Sequence, residues 1–147
     1  MHITTLTDDR FDEFFELVKA MIAEAEFSEA VPDKKIIFSV HKNPNVKCFL
    51  AIGDNKIVGF IAAVKSTYFF STRPKINDIG FYVLPKYRGS SSAVKLIKAL
   101  ENWAKENNIF DISIGQTTAV EMEKTQEFYN CLGYKTVGYN TIKHLEI

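Results

Sequence analysis

The apolar positions of this chain change period several times, and each change marks an element. Residues 2–6 alternate as a first strand; Thr7, Asp8 and Asp9 then offer N-cap oxygens ahead of Phe11, Phe14, Phe15, Val18, Met21 and Ile22, which recur at helical spacing on one face. Pro32 suits a first helical turn and opens a shorter helix carrying Ile36, Ile37 and Val40. That helix stops before Asn43-Pro44, because a residue preceding proline avoids the helical region. Residues 46–52 and 56–68 are rich in Val, Ile and Phe and flank Gly53-Asp54-Asn55, the chemistry of a hairpin turn, so they pair antiparallel.

After a break at residues 71–74, residues 76–84 read as a fourth strand ended by Pro85. The chain then passes through Tyr87-Arg88-Gly89-Ser90-Ser91-Ser92 into a long amphipathic helix. Its buried stripe is Ala93, Leu96, Ile97, Leu100, Trp103 and Ala104, with Lys95, Lys98, Glu101 and Lys105 towards water. Asn107-Asn108 ends it, and Phe110, Ile112 and Ile114 alternate with Asp111, Ser113 and Gly115 as a fifth strand of period two. A last helix over residues 121–132 stops at Gly133, a left-handed cap, and residues 134–145 are expected to form one bent strand or two short ones. The order β-α-α-β-β-β-α-β-α-β predicts an α/β fold, a mixed sheet with helices on both faces.

Composition narrows this further. With 147 residues, 46% of them hydrophobic, the chain fits a single domain over residues 1–147. A chain of this size buries about 68% of its unfolded surface and needs no disulfide or metal to fold. The 18 Lys and Arg against 18 Asp and Glu leave no net charge, so the broad basic field that grips nucleic acid is missing and no nucleic-acid partner is expected. The opening residues lack the basic and apolar regions of a signal peptide, and no apolar run approaches the ~20 residues of a membrane span. The expectation is a cytoplasmic monomer or homodimer with no membrane partner. Cys48 and Cys131 lie far apart without metal-ligand spacing and are read as reduced thiols, each a small buried hydrophobe. His2, His41 and His144 show no ligand spacing either, so no metal is expected.

The stretch Val83-Leu84-Pro85-Lys86-Tyr87-Arg88-Gly89-Ser90-Ser91-Ser92-Ala93 carries the strongest chemical signal, because a strand runs through a small-residue loop into a helix. Such a loop aims successive backbone N–H groups at one point, and the helix N-terminus adds partial positive charge, so together they bind phosphate oxygens. A polar turn with a serine N-cap is the other reading of the same residues. The loop lacks the Lys-Ser/Thr of a Walker A motif and is not G-x-G-x-x-G, which argues against ATP and NAD.

This stretch resembles the acyl-CoA pyrophosphate loop of the GNAT superfamily of N-acetyltransferases, Gln/Arg-x-x-Gly-x-Gly/Ala after a strand ending in Val-x-Pro. Here it stands as Arg88-Gly89-Ser90-Ser91-Ser92-Ala93, with Ser91 where the family usually has glycine. Phe128-Tyr129-Asn130-Cys131-Leu132-Gly133-Tyr134 is similar to the family's Tyr-x-x-x-Gly-Phe/Tyr segment, in the same order along the chain. The motif-level resemblance covers residues 76–136, and the N-terminal β-α-α-β-β order fits the same fold more loosely.

The resemblance implies direct transfer of an acetyl or other acyl group from acetyl-CoA to an amine, in a cleft where the fourth and fifth strands splay apart. The cofactor contacts it implies are the backbone around Phe81, Tyr82 and Val83, and the loop residues Arg88, Gly89, Ser90, Ser91, Ser92 and Ala93. Lys86 is a further charge near the CoA phosphates. The reaction needs two proton handlers, since an ammonium with a pKa near ~10 must lose a proton and the departing thiolate should gain one. By resemblance Tyr129 is the acid. Asp78 is the base candidate on the fourth strand, and a solvent-facing carboxylate is its alternative reading. Cys131 stands two residues from Tyr129, roughly 200° around a helix, so the two cannot both face one cofactor.

The acceptor, a small molecule or a protein amine, is expected between the first two helices and the loop joining the third and fourth strands. Glu24, Glu26 and Glu29 can attract a cationic amine there, and Tyr68, Phe69 and Phe70 can wall the site or form a partner surface; a solvated face and core packing are the alternatives. Two rival functions stand beside the transferase: a non-catalytic binding or structural module on the same fold, with Ser91 marking a degenerate loop, and a nucleotide- or nucleic-acid-binding domain using the same phosphate loop.

Overall fold

The hairpin expected at residues 53–55 forms as a two-residue turn. Asp54 and Asn55 both sit at positive φ, 52° and 63°, the type I′ geometry that short polar side chains tolerate. The turn joins β2 (Val46–Gly53) to β3 (Lys56–Thr67), paired from Val46↔Val64 to Gly53↔Lys56. β1 (His2–Thr5) adds to the other side of β2 and β4 (Pro74–Val83) to the other side of β3, both antiparallel. β5 (Ile112–Ser113) runs parallel to β4, giving the order β1-β2-β3-β4-β5. The computed structural model describes residues 1–25, 30–115 and 121–146.

The sheet buries both faces, and helices cover each. α1 (Phe11–Glu24) lays Phe11, Phe14, Leu17 and Val18 over Leu50, Ile52, Ile57 and Phe60. α3 (Ser92–Glu106) packs Leu96, Ile97, Leu100 and Ala104 on the opposite face against Ala51, Val58, Ile61 and Ile76. α4 (Met122–Cys131) joins that second core through Tyr129. Asn108, at φ 55°, turns the chain out of α3, and Gly133, at φ 93°, ends α4 as its position in the sequence led us to expect.

α2 (Lys34–Lys42) starts two residues after Pro32, because the Asp33 carboxylate accepts the Ile36 N–H at 3.1 Å and caps the first turn there. Of its expected apolar face only Ile37 reaches the core; Ile36 and Val40 are exposed. Two strand expectations need correction. The fifth strand is paired only at Ile112–Ser113 rather than over residues 110–115, and Phe110 is exposed. The final strand expected in residues 134–145 is not formed over the described residues 134–146. Strand preference is a fit to a pleated, half-buried surface, and here Val137, Tyr139 and Leu145 are exposed. The segment is held at its start, by the Tyr134 hydroxyl on Glu101 (3.0 Å) and Thr136 on Gln126 (2.8 Å).

β4 carries a bulge: Ala62 pairs with Gly80 and Ala63 with Asp78, leaving Ile79 extra. Such a bulge bends its strand and re-aims neighbouring side chains. Across the β3–β4 pair, Gly59 permits the close approach, since a Cβ there would stand 2.9 Å from the Tyr82 carbonyl oxygen. Gly59→Ala is therefore expected to push β4 away from β3 and to cost about 1–3 kcal/mol of stability, read as a lower urea midpoint at an unchanged m-value.

Candidate active site

β4 and β5 stay together for only two residue pairs, Ile76↔Ile112 and Asn77↔Ser113. At the next step the Asp78 carboxylate, not a backbone carbonyl, accepts the Gly115 N–H at 2.9 Å. A side chain takes the place of a ladder bond where the strands part, and beyond Asn77 no described residue pairs with the outer edge of β4, which faces a cleft. Alternate residues of that edge turn their backbone N–H and C=O groups away from β3 into it. Asp78, Phe81, Tyr82 and Val83 line the cleft from β4, Tyr129 and Phe128 from α4, and Arg88 and Ala93 from the loop and start of α3. α1 contributes Met21 and Glu24.

Tyr129 is 5% exposed, its ring stacked at 6.3 Å from Phe81 and tilted at 6.2 Å from Tyr134. Burial, followed by the Asp78 charge, pushes its phenol well above the ordinary tyrosine value, so at neutral pH it holds its proton. Burial also raises the Asp78 carboxyl, to about 6, against the opposing effect of the Gly115 N–H. Asp78 and Tyr129 therefore share one cleft as a carboxylate and a protonated phenol.

The loop between β4 and α3 is shaped by Gly89, at φ 82° with open space where a Cβ would stand. Ser91 lies at φ −76° and ψ 0°, an ordinary right-handed conformation, so serine in the family's glycine position carries no backbone strain. Ser90 and Ser92 are engaged internally: the Ser90 hydroxyl donates to the Tyr87 carbonyl at 2.5 Å, the two hydroxyls lie 2.7 Å apart, and Ser92 is fully buried against the Met1 sulfur. The Ser92 N–H is taken by the Ser90 hydroxyl at 3.3 Å and the Ser90 N–H by the Tyr87 carbonyl; the next amides of α3 have no preceding turn to bond, and a helix N-terminus after a small-residue loop suits phosphate oxygens. Arg88 and Ala93 bring this end of the loop to the same cleft, so a pyrophosphate-bearing cofactor fits there on helix-terminal amides and the Arg88 guanidinium.

Arg88 is folded back at this end. Its Nε donates to the Val83 carbonyl at 3.0 Å, and Nη1 and Nη2 donate to the two Glu24 oxygens at 2.9 and 2.5 Å. The guanidinium also lies 5.4 Å from the centre of the Tyr82 ring. The bond to Arg88 holds the Glu24 carboxyl below the usual range. Sequence reasoning named Glu24 and Arg88 for separate roles and missed that they pair; 64 positions separate them, and no local signal links them. It also missed Gly115, whose amide fixes Asp78, and Phe128, whose place in the Tyr129 motif was the available hint.

Other expected residues lie elsewhere. Tyr68 donates to Asp111 at 2.9 Å, and Phe69 and Phe70 beside it are exposed, so this loop is tied to the approach to β5 and does not wall the cleft. The Lys86 ammonium lies over the Tyr87 ring, outside the cleft lining. Cys131 is exposed rather than buried, while Cys48 is buried as expected. Glu26 and Glu29 lie outside the described residues. Among the described residues no group of three His, Cys, Asp or Glu side chains is placed to hold a metal ion, and no helix is long and apolar enough to cross a membrane.

The raised Asp78 carboxyl makes a pH prediction with a definite sign. Its native pKa of about 6 lies above the ordinary value of 3.8. The stability associated with its protonated form is therefore full below about 3.8 and is lost as pH rises through about 6. Asp78→Asn keeps an oxygen for Gly115 and removes this loss, so its melting temperature relative to the parent is expected to rise between pH 4 and pH 7.5; a constant difference would contradict the burial of that charge.

The model of the Acetyltransferase (GNAT) family matches residues 5–134. No curated protein matches the sequence. Among solved structures, an aminoglycoside acetyltransferase from an uncultured soil metagenomic sample, in complex with trehalose, superposes at TM-score 0.79 with 19% identity, over 99% of this chain and 96% of its own. A ribosomal-protein-alanine N-acetyltransferase from Brucella melitensis biovar Abortus 2308 gives 0.77 at 16%, over 99% and 100%. AAC(6')-Iy, in complex with the bisubstrate analog CoA-S-monomethyl-acetylneamine, gives 0.77 at 17%, over 99% and 98%. At such identities the likeness is one of fold, whereas the family match spans most of the sequence: the chain belongs to the GNAT family of acetyltransferases.

Proposed function

We propose that this chain transfers the acetyl group of acetyl-CoA directly to a primary amine, with Tyr129 as general acid and Asp78 as general base. The observation that supports this reading is the cleft beside β4 where it parts from β5, which has Asp78 and Tyr129 among its walls and Arg88 and Ala93, the two ends of the Arg88–Ala93 loop, in its lining. Acetyl-CoA supplies the activated thioester. The backbone of Phe81, Tyr82 and Val83 lines the free edge of β4, where an extended pantetheine arm can bond as an added strand and where amides can polarise the thioester carbonyl.

Asp78 removes the proton that the acceptor's ammonium must lose, directly or through a water molecule. With a pKa of about 6 it is ionised at neutral pH and a stronger base than an ordinary aspartate. Tyr129 keeps its proton at neutral pH and gives it to the sulfur as the carbon–sulfur bond breaks. The acceptor class is carried by the family and its neighbours rather than by this cleft alone: named neighbours act on aminoglycosides and on a ribosomal-protein alanine.

Calorimetric titration with acetyl-CoA, with ATP and NAD as controls, tests the cofactor half of the reading; selective binding of acetyl-CoA is expected, and no binding, even by Ser91→Gly, would move the chain to a non-catalytic module. An acceptor screen on sisomicin, a peptide with N-terminal alanine and a lysine peptide tests the other half. On any acceptor found, Tyr129→Phe is expected to lower kcat on the order of 100-fold with little change in acetyl-CoA affinity. The kcat/KM profile is expected to rise with pH through about 6 as Asp78 ionises, and that limb is expected to vanish in Asp78→Asn.

A further inference from the structure

Among the described residues, the charged side chains lining the cleft are Glu24, Asp78, Glu121 and Arg88, three carboxyl groups against one guanidinium. A cofactor carrying several phosphate charges entering this cleft meets a cation already committed, since both Nη atoms of Arg88 lie on Glu24. Glu121, the other carboxylate facing Arg88, has its own partner in Lys124 at 3.3 Å. Glu24 is poorly placed to stand alone. It is the last residue of α1, where the helix dipole disfavours negative charge, and the last turn carries no basic residue to offset it. Its compensation comes from Arg88.

The hold on Arg88 has two separable parts. The Nε–Val83 bond ties the side chain to the end of β4, while the fork formed by Nη1 and Nη2 is the part that grips the carboxylate. A guanidinium fork fits a phosphate as well as it fits a carboxylate. The pair is also only partly shielded, with side chains 32% and 28% exposed, so exchanging partners does not strand a charge deep in the core.

We propose that the Arg88–Glu24 pair is a charge relay between the two substrates: the CoA pyrophosphate takes the Arg88 fork, and the released Glu24 carboxylate becomes the anchor for the acceptor's ammonium. This rests on the acetyltransferase reading above and adds to it the residue that recognises the amine and the reason the cofactor prepares that site. Glu24 and Arg88 line the same cleft as Asp78 and Tyr129, so an ammonium drawn to Glu24 stands in the space where its proton must be removed. Because the coupling is thermodynamic it runs both ways, and a cation on Glu24 equally favours phosphate on Arg88.

The test uses CoA, which binds without turnover, pantetheine, which lacks the pyrophosphate, and n-butylammonium as the amine probe, each followed calorimetrically. Glu24→Gln frees Arg88 and is expected to tighten CoA about three- to tenfold while leaving pantetheine unchanged; pantetheine binding also reports that each variant is folded. Arg88→Gln is expected to weaken CoA, and adding Glu24→Gln to it to change nothing further. n-Butylammonium, against equal sodium chloride, is expected to tighten CoA in the parent and not in Glu24→Gln. If the parent binds no CoA, the acetyltransferase reading itself falls. If it binds CoA but Glu24→Gln leaves that affinity unchanged, or shifts pantetheine equally, the relay is overturned while the transferase reading stands. If only the n-butylammonium effect is missing, Glu24 is not the amine anchor, which overturns the proposal as stated.

Discussion

The parting of β4 from β5 immediately after the Asn77–Ser113 pair is the constraint on which the site depends. A parallel edge strand that kept its register would bury the outer edge of β4 in ladder bonds. Here the Asp78 side chain takes the Gly115 N–H instead, and Ile79 is inserted into the β3–β4 register as a bulge. One substitution of side chain for backbone thus leaves the outer edge of β4 unpaired by any described residue beyond Asn77 and places a carboxylate in the gap whose other wall carries Tyr129 of α4. On the opposite side of β4, the close approach to β3 at Gly59 holds the strand.

Burial then acts on two groups in the same direction with opposite chemical results. Desolvation raises both Asp78 and Tyr129, because each is anionic when deprotonated. Asp78 starts far below neutrality and is lifted to about 6, so it is ionised at neutral pH but holds a proton far better than a surface aspartate. Tyr129 starts above neutrality and is lifted further, and the Asp78 charge adds to the lift. One environment therefore leaves an ionised carboxylate and a protonated phenol lining the same cleft at neutral pH.

The sequence was most readable where structure is local. The turn at Asp54 and Asn55, the stripe of α3 and the cap at Gly133 follow from backbone preferences and helical periodicity acting over a few residues, and all are found. The candidate site was legible where a motif compresses distant geometry into adjacent letters: Arg88 and Ala93 of the loop motif and Phe128 and Tyr129 of the second motif line one cleft. What stayed hidden is nonlocal. Nothing near Glu24 foretells Arg88, and nothing in the alternation of residues 110–115 tells that Asp78 intercepts the Gly115 amide and leaves β5 only two paired residues. The same reason explains residues 134–145, whose β-branched and aromatic residues make a strand only when a sheet edge receives them. Tyr68, Phe69 and Phe70 were legible only as a site wall or a partner surface, because aromatic composition marks a contact surface without saying which; the Tyr68–Asp111 bond carries that loop to the approach to β5, and Phe69 and Phe70 stay exposed.

Serine at position 91 shows how a departure from a motif is weighed. Read as letters, it removes a glycine from a loop whose glycines serve close approach and positive φ. Read as geometry, the positive φ belongs to Gly89 and Ser91 sits in a region open to any residue, so the loop keeps its shape. Nor are its neighbours' hydroxyls at stake, since Ser90 and Ser92 are bonded to each other and to Tyr87 and Met1. With backbone shape unaffected, the serine leaves the charge at this end of the cleft unchanged: among the described cleft-lining residues the one guanidinium, Arg88, is held by a carboxylate at the far end of α1. On the proposed reading that partner, which no motif records, bears more on how readily the loop takes phosphate than the serine at position 91 does.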